Sequence, residues 1–174
     1  MEKYIPDMYQ KNIFSIDYQK LLNKGIKCIL FDLDNTLVPI TNCKPNEEVK
    51  KLFNDLKDKG FKVIIFSNST KKRLKNFKDE LQVECISSAR KPMKNKFLYV
   101  LENYQLNINE VAIIGDQILT DIVGGNKVGI MTILVTPISD KDFFITKFNR
   151  IRERHIMKKL RDKDLFSKGR YYEL

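Results

Sequence analysis

The chain has 174 residues, 43% of them hydrophobic and 31% charged, which is enough for one compact unit with a real core and too polar for a membrane-embedded or fibrous protein. The formal net charge of +10 points to an anionic partner, such as a substrate phosphate, a nucleic acid or an anionic lipid surface, although a lysine-rich composition with solvated faces gives the same number. Three scattered cysteines, Cys28, Cys43 and Cys85, without CxxC spacing speak against a disulfide framework or a zinc site and for reduced thiols. No apolar run approaches the ~20 residues that span a bilayer, and the start of the chain lacks the basic-then-apolar order of a secretory signal, so a cytoplasmic protein is expected.

Residues 1–26 read as a leader packed on the sheet, with Asp17 placed to cap a short helix that ends at Gly25. Strand one is Ile26–Leu33. Pro45 marks a helix start, and Val49, Leu52, Phe53 and Leu56 follow at amphipathic spacing up to Gly60. Phe61–Phe66 is a continuous apolar strand of the kind that a parallel sheet buries on both faces. A helix with Leu74, Phe77 and Leu81 inward leads to a short strand at Cys85-Ile86, then to a helix marked by Phe97, Leu98, Leu101 and Tyr104. Val111–Ile114, a helix over about 119–127 closed by Gly129, and the strand Met131–Val135 complete the alternation. Strands that alternate with helices predict a three-layer α/β/α Rossmann-like parallel sheet with right-handed crossovers. The expected organisation is one unit over 1–174: the leader, a core at 27–137, and a basic helical tail at 138–174.

Strand one ends in Asp32-Leu33-Asp34-Asn35-Thr36-Leu37. On a strand Asp32 and Asp34 share a side, and two carboxylates so close call for a cation between them. Mg²⁺ is the usual ion beside phosphates, and a carboxylate fixed there is a nucleophile toward phosphorus. A polar turn after a strand is the plain alternative. Further polar clusters follow the other strands: Ser67–Thr70, Arg90-Lys91 and Asp116–Asp121. In a parallel sheet they converge at the carboxyl edge, where ligands bind. Taken singly, Ser67 reads as a turn residue, Lys91 as one lysine among many, and either later aspartate as a helix cap.

These four clusters, in this order, resemble the motifs of the haloacid dehalogenase (HAD) superfamily over about residues 5–137. The resemblance implies that Asp32 is the nucleophile and Asp34 the acid/base, which favours a phosphatase over a dehalogenase. It implies that Ser67, Asn68 and Lys91 bind the substrate phosphate. Mg²⁺ would be held by Asp32, Asp116 and the backbone carbonyl of Asp34, with Asp121 behind them as a second-shell or water-mediated ligand. Gly124-Gly125-Asn126 would allow close packing. The gaps Leu37–Gly60 and Asn68–Arg90 are too short for a cap domain, so the site is expected to be capless and open.

Pro6-Asp7-x-Tyr9, Asp32–Pro39 and Gly115-Asp116-Gln117-x-x-Thr120-Asp121-Ile122 are similar to the YqeG-like branch of subfamily IIIA, a branch similar to phosphatidylglycerophosphate phosphatases. That likeness implies a lipid headgroup phosphate as substrate. Two alternatives stay open: a phosphatase for a soluble sugar or nucleotide phosphate, its lid supplied by an oligomer, and a non-catalytic basic RNA-binding domain. The tail 141–174 carries eleven Lys/Arg against five acids, 11 − 5 = +6. Phe144, Phe148, Ile151 and Leu160 are spaced roughly for one helical face, with Ile156 and Met157 near it. Such a helix either lies on the inner face of an anionic membrane as a peripheral contact or docks on the sheet with its basic face solvated.

Overall fold

The computed structural model describes residues 1–139 and 144–173, with side chains in the last helix from Ile151 onward. Six strands, β1 (Met8–Gln10), β2 (Cys28–Phe31), β3 (Lys62–Phe66), β4 (Glu84–Ile86), β5 (Val111–Gly115) and β6 (Met131–Val135), form one sheet in the order β1-β6-β5-β2-β3-β4. Every pairing is parallel. Helices α1 (Tyr18–Asn23), α2 (Glu47–Asp58), α3 (Lys71–Leu81), α4 (Asn95–Asn103), α5 (Val123–Val128) and α6 (Phe144–Asp162) complete the fold.

Alternating strand residues feed two different cores, because successive side chains leave opposite faces of a strand. Ile29, Phe31, Val63, Ile65, Ala112, Ile114 and Ile133 pack with Phe53 of α2 and Phe77 of α3 on one face. Leu30, Ile64, Phe66 and Ile113 pack with Phe97 and Val100 of α4 on the other. Tyr9, Ile118, Ile122 and Leu134 meet Leu160 of α6 and Phe166 in a third cluster. The caps are local chemistry: Asp17 accepts from Lys20 N at 3.2 Å, Asn46 from Val49 N at 2.9 Å and Thr70 from Arg73 N at 3.4 Å.

Three expectations change in detail. The leader does more than pack on the sheet: Met8–Gln10 pairs with β6 and extends it at the edge. A three-residue strand that starts two residues after Pro6 is too short to show alternation. Leu98, one of the residues that marked its helix, is half exposed, and Val100 is buried beside Phe97. The helix after β5 opens with a π turn over Ile118–Ile122 before α5. The close packing expected at Gly124-Gly125 is present: a Cβ on Gly125 would lie 2.5 Å from Thr132 Cγ2, and one on Gly124 would lie 2.8 Å from Phe97. Neither the 32–46 connection nor the 67–70 connection holds a folded insertion.

The tail face is out of phase with the one expected. Ile151 and Leu160 are nine residues apart, about half a turn out of step on an α-helix. Leu160 is buried and Ile151 is 57% exposed. The buried stripe runs through Glu153 and Leu160, with Ile156 and Met157 partly buried against the same cluster. The side chains of Phe144, Phe148, Lys147 and Arg150, and residues 140–143, lie outside the described residues.

Candidate active site

The sheet register brings the polar clusters together. Phe31 is level with Ile65 on one side and Ile114 on the other, so the residues that follow, Asp32, Ser67 and Asp116, leave the sheet at adjacent carboxyl ends. Asp32 N–H still donates to Ile114 O at 2.9 Å. The chain then turns at Asn35, whose φ of 64° is the left-handed region that asparagine tolerates best after glycine. Asn35 also ties this turn to the loop after β6: its carbonyl accepts from Ile138 N at 3.0 Å and its Oδ1 from Ser139 Oγ at 2.8 Å.

The centre of the site is a buried ion array. Lys91 Nζ donates to Asp32 Oδ1 at 2.7 Å and to Asp121 Oδ1 at 2.6 Å. Thr36 Oγ1 reaches Asp116 Oδ1 at 3.2 Å and Asp32 Oδ2 at 3.5 Å. Asp121 is completely buried and accepts from Gln117 N at 3.2 Å. Gly115 makes room for it, since a Cβ there would overlap the Asp121 side chain. Burial pushes the Asp32 carboxyl up to about 7 against the pull of Lys91, with Asp121 and Asp34 adding to the rise. Lys91 is held above its usual range: burial acts to lower it, but Asp121 and Asp32 outweigh that.

Asp32, Asp116 and Asp121 each offer a carboxylate oxygen within 4.8 Å of the other two. This is an all-oxygen, hard donor set of the kind Mg²⁺ takes. Three carboxylates gathered around one ammonium leave negative charge that a divalent cation would offset. The residues present therefore fit the ion. Asp121 joins Asp32 and Asp116 in this cluster.

Asp34 is engaged separately. Its Oδ2 accepts from Ser69 Oγ at 2.7 Å, and its Oδ1 accepts from Arg73 Nη2 at 2.8 Å and Nε at 3.2 Å. Arg73 is itself pinned to the carbonyls of Asn42 and Ile40. Asn68 clamps the backbone of Lys91: Lys91 N donates to Oδ1 at 2.7 Å and Nδ2 donates to Lys91 O at 3.2 Å. Ser67 is buried and its Oγ accepts from Ser69 N at 3.1 Å. Arg90 and His155 are exposed.

Thr36, Ser69 and Arg73 are site residues that the sequence reading passed over. Arg73 had a signal: Lys71-Lys72-Arg73 opens α3 with three cations and no acid, against the sign that a helix N-terminus favours.

The HAD-hydrolase-like family matches residues 88–162. Over 160 residues the chain is 42% identical to the probable phosphatase YqeG of Bacillus subtilis (strain 168), covering 92% of this chain and 93% of that protein. It is 26% identical over 164 residues to phosphatidylglycerophosphate phosphatase 1, chloroplastic/mitochondrial, of Arabidopsis thaliana, covering 84% of this chain but only 45% of that longer protein. Among solved structures, the cobalt-bound deoxy-D-mannose-octulosonate 8-phosphate phosphatase of Haemophilus influenzae superposes with a TM-score of 0.56 at 15% identity, covering 82% of this chain and 95% of its own. A protein from Legionella pneumophila described as a HAD superfamily (subfamily III A) hydrolase superposes with a TM-score of 0.53 at 19% identity, covering 70% and 72%.

Proposed function

The chain belongs to the HAD-like hydrolases as a phosphatase of the YqeG kind, and from that premise we propose that it is a Mg²⁺-dependent phosphomonoesterase that releases the terminal phosphate of phosphatidylglycerophosphate. The observation that carries the chemistry is the buried array of Asp32, Lys91 and Asp121 beside Asp116. The lipid substrate is supported by the likeness to the Arabidopsis enzyme, and the cation by the oxygen cluster and by the cobalt-bound phosphatase of similar fold.

In this reading an Asp32 oxygen attacks phosphorus. The Asp32–phosphorus bond forms as the ester P–O bond breaks, and Asp34 gives its proton to the leaving oxygen. Asp34 then takes a proton from water as that water attacks the phosphorus, which frees phosphate and restores the Asp32 carboxylate. Ser69 and Arg73 fix the Asp34 carboxylate from two sides, so the acid/base group is oriented before substrate arrives. Lys91 offsets charge on the nucleophile and on the phosphoryl oxygens. Ser67 accepts from Ser69 N–H, which leaves its own O–H to donate to the phosphoryl group. A cation held by Asp32 and Asp116 would supply further positive charge at those oxygens.

The test is phosphate release with Mg²⁺ from phosphatidylglycerophosphate in mixed micelles, set against a panel of soluble sugar and nucleotide phosphates. The expected result is strong preference for the lipid and loss of turnover with a chelator, restored by added Mg²⁺, with circular dichroism unchanged throughout. Preference for a soluble ester would overturn the lipid assignment and keep the chemistry. Full activity in excess chelator would overturn the metal.

A further inference from the structure

We propose that the C-terminal segment builds a second, distinct half of the substrate site: an amphipathic cleft that holds the leaving group of a phosphomonoester carrying a second phosphate, as a diester, and an apolar tail. The inference rests on the phosphatase reading above and names what the rest of that substrate touches.

A cavity of about 880 Å³ lies between the carboxyl edge of the sheet and α6. Asp116 opens into it, so it is continuous with the carboxylate cluster. Its floor is apolar, made by Ile118, Leu134, Val135 and Met157. Its α6 wall is basic: Arg154, Lys158 and Arg161 line it at i, i+4 and i+7, the spacing of one helical face, and Lys168 joins them from beyond the helix end.

This stripe neighbours the buried one and is placed by it. Glu153 is buried, and its Oε1 accepts from Leu119 N at 3.0 Å, which locks α6 to the π turn that carries Asp121. Leu160 is buried in the cluster with Ile122 and Leu134. With that face fixed against the sheet, residues one position on, Arg154 and Arg161, are turned toward the cleft mouth. Solvated lysines would account for cations scattered around α6. They would not account for four cations lining a cavity that a carboxylate of the hydrolytic cluster also lines.

The transferring phosphate belongs over Asp32 and Lys91. Four cations set against the carboxylates of Asp116 and Glu153 leave the lining net positive, and that surplus fits a second anion in the leaving group. A floor of four apolar residues fits hydrocarbon beyond it. Tyr9, Ser139, Ser167 and Glu153 also line the cavity, so the hydroxyls of a polar headgroup find hydrogen-bond partners beside that floor.

The experiment compares kcat/KM for three esters: phosphatidylglycerophosphate in mixed micelles, its deacylated form glycerophosphoglycerophosphate, and p-nitrophenyl phosphate, which has no second phosphate. Wild type is set against Lys158→Ala and the double variant Arg154→Ala/Arg161→Ala, all exposed positions, with thermal midpoints to confirm folding. The expected result is that the preference for each doubly charged ester over p-nitrophenyl phosphate falls at least about tenfold in the double variant, through KM rather than kcat. An unchanged preference in folded variants overturns the cleft. Wild type that ignores the lipid but prefers the deacylated ester, with that preference lost in the variants, retires the lipid substrate and keeps the second-anion subsite. Wild type with no preference for either doubly charged ester overturns the subsite itself.

Discussion

Arg73 sits in the first turn of α3, where the helix end carries partial positive charge and a cation costs stability unless something anionic repays it. Asp34 is that partner. The guanidinium presents two nitrogens to one carboxylate oxygen while Ser69 holds the other, and its planar fork fixes direction as well as distance. Both side chains are largely buried, 15% and 13% exposed, so the pair is less screened than a surface bridge. Arg73→Ala should therefore lower kcat by about 10- to 100-fold with a smaller change in KM, because Asp34 remains present but loses its orientation. Arg73→Lys should recover part of the loss, since a point charge restores attraction but not the fork. Steady-state rates on p-nitrophenyl phosphate decide it, and an unchanged kcat in the alanine variant would mean that Asp34 needs no such support.

At the scale of elements, the two ends of the chain close the β1 edge together. Tyr172 exchanges two backbone hydrogen bonds with Tyr9 of β1, at 2.9 and 3.0 Å. Phe166 stacks obliquely on the Tyr9 ring with centroids 5.2 Å apart. These contacts cover an edge strand that would otherwise offer unpaired backbone to another chain. They also set the position of α6, through Leu160 and Phe166 in one cluster. Phe166→Ala removes a buried ring and should destabilise the fold by about 3 kcal/mol in urea unfolding followed by circular dichroism. A loss below about 1 kcal/mol would show that the C-terminal strap is not part of the cooperative unit.

For the whole molecule, much was legible because it is repeated. Four of the six strands announced themselves as apolar runs and a fifth as the short Cys85-Ile86 between two helices, and that alternation fixed the parallel sheet and hence the edge where Asp32, Ser67, Lys91 and Asp116 meet. What escaped the sequence lacked either length or local pattern. Met8–Gln10 is a strand only because β6 offers it a partner. The clamp of Asn68 on Lys91 and the grip of Arg73 on Asp34 join residues 23 and 39 positions apart, distances at which no local periodicity operates. The phase of α6 failed for a simpler reason: its apolar residues are sparse, so Leu160 and Glu153, not Ile151, define the buried stripe. The proposed reaction turns on one covalent event at Asp32, and the most direct measurement is a rapid acid quench during turnover followed by peptide mapping of bound phosphate. It predicts phosphate on the peptide that contains Asp32, none in Asp32→Asn, and a fall in turnover of at least about 10³-fold in that variant with its fold intact. Phosphate on another residue, or undiminished turnover by Asp32→Asn, would contradict it.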